Sequence, residues 1–302
     1  MKGTRMSSPS SQPGAPLRGT GGFSNQLRTV LLLGALSAVL VGVGGLLGPG
    51  MLWLFGALAI ALNIGAYFYS DKLVLRMHKA REISPDELPA LHRMTAEIAA
   101  TAGLPMPRLY LLPGEQPNAF ATGRNPEHGV VAVTQGLLRL MNERELRGVI
   151  AHELSHIRNR DILVASVAAC IAAAVSMLAQ AGQLALLFGS GRDDEEGGSP
   201  LAGLLMIFLA PVAATLIQLG ISRSREYLAD ASAARFTGDP HGLADALEKL
   251  RRGTEAHPSA EAPATASLFI MNPLGGGARR LANLFSTHPA VEERVARLRA
   301  MA

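Results

Sequence analysis

The stretch "AHELSHIRNRD", residues 151–161, sets His152 and His156 four positions apart, with Glu153 directly after the first. On a helix, positions i and i+4 share a face, about 5–6 Å apart at Cβ, so both imidazoles can aim at one ion. Zinc in a catalytic site takes three protein ligands and keeps a fourth position for water. The metal lowers the pKa of that water toward about 7, and Glu153 stands where it can remove the proton. The plainer reading is two surface histidines on a solvated helix. A third ligand decides between the two.

Around this stretch the chain is oily. Of its 302 residues 48% are hydrophobic and only 17% charged, and the mean hydropathy is +0.23. That composition exceeds what a soluble domain carries and indicates an integral membrane protein with a soluble portion. The formal net charge of +4 is modest and calls for no nucleic-acid partner, since a basic excess on a cytoplasmic membrane face produces it equally well. The single cysteine, Cys170, lies in an apolar run and has no intrachain partner for a disulfide.

Four charge-free runs organise the chain: Val30 to Gly48, Met51 to Tyr69, Ile162 to Phe188 and Leu201 to Ile221. Each is close to the roughly 20 residues a helix needs to cross a bilayer. Lys72, Arg76, Lys79 and Arg81 follow the second run, Arg158 and Arg160 precede the third, and Arg223 and Arg225 follow the fourth. The loop "GSGRDDEEGGSP" between the last two is acidic. Every flank therefore agrees with both termini and residues 70–161 on the cytoplasmic side of the cell membrane. A buried or re-entrant hairpin is the alternative for the last two runs, which carry Ser166, Ser176, Gln180, Gln183 and Gln218.

The expected architecture is mainly α with a small β-sheet: about four transmembrane helices plus a cytoplasmic zincin-like catalytic domain. Residues 1–28 read as a disordered basic tail and 29–70 as a transmembrane hairpin. Residues 71–161 form a catalytic part ending in the HELSH helix, 162–221 a second hairpin, and 222–302 the rest of the catalytic part. Within 71–161, Ser84–Pro85 is a cap-and-first-turn signal for a helix. "PRLYLL", "NAFATG" and "GVVAVTQ" read as short strands.

Gly and His at the third and sixth positions past His156 would complete one type of zinc site, but Asn159 and Ile162 stand there. After the fourth run comes "SRSREYLAD", with Glu226 and, one turn on, Asp230. At 1.5 Å per residue His156 lies about 9 Å before Ile162, and Glu226 about 7.5 Å beyond Ile221. If the two runs are antiparallel helices, they deliver His156 and Glu226 to similar heights on one side. Asp230 then accepts an N–H from a ligating histidine and fixes its tautomer. A solvated helix face remains the plain reading of that acidic pair.

"HELSH", an apolar hairpin and "SREYLAD" together resemble the HtpX family of membrane-bound zinc metalloproteases, of the gluzincin type. "LYLLPGEQPNAFATGRNPEHGVVAVTQGLL" and "FSTHPAVEERVARL" extend the resemblance over roughly residues 30–302. It implies one zinc ion per chain held by His152, His156 and Glu226, and Glu153 as catalytic base. It also implies cleavage of unfolded or damaged membrane proteins at the cytoplasmic face, with the lipid bilayer as the other partner. By the family pattern His288 in "STHP" is the expected donor to the oxyanion; a helix-start histidine is the alternative. Asn118, Ala119 and Phe120 are expected to line the cleft as an edge strand that holds an extended peptide, against a structural-turn reading for Asn118. The apolar patch "LFIM", 268–271, reads as part of a loop that docks near the cleft or touches lipid. The remaining histidines, His78 among them, carry no partner pattern and are expected at the surface. Two other functions compete: a non-hydrolytic zinc-containing membrane scaffold, and a prenyl-protein processing protease. A structural zinc site is normally closed by four ligands and no fourth is visible, while the prenyl-processing proteases resemble a longer multi-span barrel.

Overall fold

In the computed structural model, residues 21–171, 223–257, 263–271 and 289–301 are described. Two long apolar helices open the fold, α1 (Gly21–Leu47) and α2 (Pro49–Met77). They reverse direction at Gly48, whose φ of 117° only glycine adopts without strain, and Pro49 pre-sets the first turn of α2. The side chains of Ser37 and Asn63 bond across the pair at 2.6 Å. Trp53, Leu54 and Ile60 on α2 are largely exposed, an apolar surface suited to lipid rather than water. These are the two described helices long and apolar enough to cross a membrane.

Helix α1 begins ahead of the boundary expected at residue 29. The reason is a polar anchor: the Asn25 amide donates to the Asn159 carbonyl at the end of the HELSH helix, and Thr29 bonds back to the Asn25 carbonyl. Residues 1–20 lie outside the described residues, as do most of the third apolar run and all of the fourth.

The soluble part is built on a four-stranded sheet of order β1-β2-β4-β3, comprising β1 (Arg81–Glu82), β2 (Arg108–Leu112), β3 (Ala119–Thr122) and β4 (Val130–Thr134). β4 runs parallel to β2 and antiparallel to β3, so β3 is an edge strand. All five residues of "VVAVT" in β4 are buried, the continuous apolar run of a strand covered on both faces.

Helix α3 spans Pro89–Ala102, not the turn after Ser84. Residues 84–87 close a turn instead, with the Glu87 N–H on the Ser84 carbonyl. Pro89 disfavours helical geometry at Leu88 and takes the first helical position itself. Helix α4 (Gln135–Leu140) leads to α5 (Glu143–Arg158), which starts at an Asn142–Glu145 capping box. Ile162–Ile171 forms α6, the described beginning of the third apolar run; its Val164, Val167 and Ala168 pack with Leu32 of α1. Helices α7 (Arg223–Thr237), α8 (Pro240–Ala256) and α9 (Val291–Arg299) follow. The core gathers Val149, Ile150 and Leu154 of α5, Val131 and Val133 of β4, Ala233 of α7 and Leu243 and Leu247 of α8. α5 is thus clamped between the sheet and the later helices.

Candidate active site

On α5 the i, i+4 spacing brings the Nε2 atoms of His152 and His156 to 3.1 Å from each other. Helix α7 supplies Glu226, with one carboxylate oxygen 3.7 Å from His152 Nε2 and the other 3.7 Å from His156 Nε2. One ligand atom from each of the three residues lies within 4.8 Å of the others, a spacing that side-chain adjustment can close around one ion. The donor set, two imidazoles and one carboxylate, is one that zinc accepts while keeping a position open.

Each histidine is held from behind by a carboxylate. Asp230 lies 3.0 Å from His152 Nδ1 and Asp161 lies 3.1 Å from His156 Nδ1. A proton on each Nδ1, donated to these acids, leaves the Nε2 lone pairs facing the ion. Asp230, expected beside a histidine, lies against His152. Asp161, the last residue of the opening stretch, was missed; it is the polar residue just before α6 and offered no periodicity signal.

Arg294 was also missed. It comes from α9 and is 1% exposed, donating from Nε and Nη2 to the two oxygens of Asp230 at 2.8 and 2.7 Å. Its Nη1 lies 3.5 Å from Glu226. Burial opposes its charge, but Asp230 and then Glu226 outweigh that and raise its pKa further. Asp230 is held down at about 2 against its own burial, chiefly by Arg294. In sequence, "VEERVARLR" is an amphipathic charged helix, and nothing marks one of its arginines as interior.

Glu153 is 1% exposed, and burial pushes its carboxyl up to about 7. The Ala121 backbone works against that shift by hydrogen bonding to the carboxylate. Burial opposes a proton on His156, yet Asp161, Glu226 and Glu153 hold it up at about 10; such a proton has to leave before the ring ligates a metal. His152, Glu153, His156 and Glu226 line one small cavity together with Ala121 of β3.

A model of peptidase family M48 matches residues 85–302. A protein named Protease HtpX homolog from Syntrophobacter fumaroxidans is 52% identical over 285 residues, covering 92% of this chain and 100% of that relative. The chain belongs to the HtpX family of M48 peptidases. It is thus a membrane metalloprotease. A further Protease HtpX homolog, from Ralstonia pickettii, is 50% identical over 284 residues, 92% of this chain and 97% of its own. Among solved structures, S. mikatae Ste24p aligns with a TM-score of 0.48 at 18% identity, over 92% of this chain and 66% of that one.

The expected substrate residues separate once placed on the strand. The Asn118 side chain and the Ala119 backbone face the edge of β3 away from β4, where they bond to Met271 and Ile270. Phe120 does not: it is fully buried, packed with His78 and Phe269. Successive residues of a strand turn their backbone groups to opposite edges, so those of Ala119 and Ala121 point away from β4 while the Phe120 side chain packs into the core. His78 is likewise buried, its Nε2 3.1 Å from Thr265 Oγ1, and is no surface residue. His288 lies outside the described residues.

Proposed function

We propose that the chain is a zinc endopeptidase with one ion per molecule, held by His152, His156 and Glu226, and with Glu153 as its base. The observation that carries this reading is the convergence of His152, His156 and Glu226 from two distant stretches, one ligand atom of each lying within 4.8 Å of the others. When bound, the metal polarises the scissile carbonyl and acidifies the attacking water. Glu153 takes the water proton and later hands it to the leaving amine. Burial works to raise the pKa of the Glu153 carboxyl, which favours its accepting the proton. Asp161 and Asp230 keep the ligating rings in one tautomer, and Arg294 holds Asp230 in place.

The substrates on this reading are misfolded or damaged membrane proteins, cut at the cytoplasmic face of the cell membrane as quality control. Four spans with both termini inside follow from the charge of the flanking segments. Contact through backbone groups on β3 suits such substrates, since it does not depend on their sequence.

The test is cleavage of an unfolded protein by detergent-purified, zinc-loaded chain, wild type against Glu153→Gln. Glutamine leaves the ligands in place, so zinc content stays equal while cleavage falls at least about a hundredfold. Equal cleavage by the two proteins removes Glu153 from the mechanism. Wild type that binds zinc and cleaves nothing favours a scaffold.

A further inference from the structure

An extended peptide approaching the metal has one edge to lie on. Strand β3 pairs with β4 on one side, and the Ala119 carbonyl points to the other, as does the Ala121 backbone that contacts Glu153. That edge is occupied by the chain itself. Residues Pro263–Leu268 form a 3-10 turn, and Phe269–Met271 continue along β3. The Ile270 N–H donates to the Ala119 carbonyl at 3.0 Å. The Asn118 amide donates to the Met271 carbonyl at 2.8 Å, and its oxygen accepts the Met271 N–H at 3.2 Å. Arg294 Nη1 reaches the Ile270 carbonyl at 3.4 Å. All of these contacts read backbone alone, as contacts to a substrate of arbitrary sequence would.

Ser267 to Ile270 line the same cavity as His152, Glu153, His156 and Glu226, and only about 40 Å³ remains there, room for a few waters and no peptide. His152 and Glu153 are 0% and 1% exposed. Something lining the cavity therefore has to move before any peptide reaches Glu153. Helices α5 and α7 carry the ligands, α6 is a packed helix, and β3 is bonded into the sheet. The segment 267–271 is part of no α-helix or strand, and its backbone is tied down by the bonds to Asn118, Ala119 and Arg294 just described. Its main anchor is Phe269, edge-on to Phe120 and to His78 with ring centroids 5.1 Å away in both cases. His78, which ends α2, also meets Thr265.

We propose that Ser267–Met271 is a self-occupying strap: it holds the substrate's place on β3 in the resting protein, and substrate strands have to displace it. This rests on the peptidase reading. Because substrate and strap compete for one edge, the apparent affinity is reduced by the fraction of molecules in which the edge is free. Loosening the strap then lowers KM and leaves kcat nearly unchanged.

Two measurements on the full-length, zinc-loaded protein in detergent decide it. In Phe269→Ala, KM for a reduced, unfolded casein is expected to fall about tenfold with kcat within about twofold, as for a strap docked nine-tenths of the time. If that variant does not fold, Thr265→Val, which loses the bond to His78, takes its place with a smaller fall of about threefold. An unchanged or higher KM in a variant that folds and binds zinc overturns the strap. The second readout is hydrogen exchange at residues 268–271 in Glu153→Gln, with and without a hydroxamate-capped tetrapeptide. Exchange is expected to speed up as the probe saturates the site; a segment that stays protected at saturation is a fixed wall, and the proposal fails. Displacement by the probe, together with a zinc-loaded wild type that hydrolyses no casein, upholds the strap and counts against the peptidase reading. A probe that does not bind the zinc-loaded protein overturns both.

Discussion

Asp161 and Asp230 do the same work on different ligands, one from the turn after α5 and one from α7. Each accepts from the Nδ1 of a histidine at 3.0–3.1 Å. Asp161→Asn and Asp230→Asn keep size and lose the charge, so each is expected to weaken zinc binding by about 10–100-fold. Competition with a chelator of known affinity measures this, and an unchanged zinc affinity in either variant would show that carboxylate to be dispensable. The two differ in what else they hold: Asp230 is the partner of the buried Arg294, whose charge is costly without it. Asp230→Asn is therefore expected to lower the melting temperature more than Asp161→Asn does.

Among the elements, α5 depends on how closely α8 approaches it. A Cβ on Gly148 would stand 2.7 Å from the Leu243 backbone nitrogen, so no side chain fits without parting the helices. Gly148→Val is expected to destabilise the protein by several kcal/mol, as overpacking against rigid backbone does. It should also loosen zinc, because His152 lies one turn further along the same helix. A melting curve with and without zinc checks both effects. The sequence showed α5 through the i, i+4 histidines of "HELSH", and the structure adds the Asn142–Glu145 capping box that starts it. It misplaced the start of α3, where a Ser-Pro signal competed with a second proline four residues on, and the turn won.

For the molecule as a whole, the α1–α2 pair shows a large apolar surface among the described residues. Ile60, 64% exposed, lies midway along α2. A charge there is expected to cost about 2.5–3.5 kcal/mol of insertion free energy. Ile60→Arg should therefore shift protein from the membrane pellet to the alkaline-extractable fraction, whereas the same change at exposed Met106 in the soluble part should not. The sequence by itself determined the helix that carries His152 and His156, the apolar α1–α2 segments and the family, because helix period, hydropathy and local motifs are properties of neighbouring residues. It also nominated Glu226 and Asp230 through one geometric assumption about an intervening hairpin. Only the tertiary structure decided that Arg294 turns inward, that Asp161 backs His156, that Phe120 faces the core and that Ile270 and Met271 bond along the outer edge of β3. Those facts depend on contacts between segments as much as 153 residues apart, as in Asn118 with Met271, and no local pattern encodes which distant groups a buried charge or a free strand edge will meet.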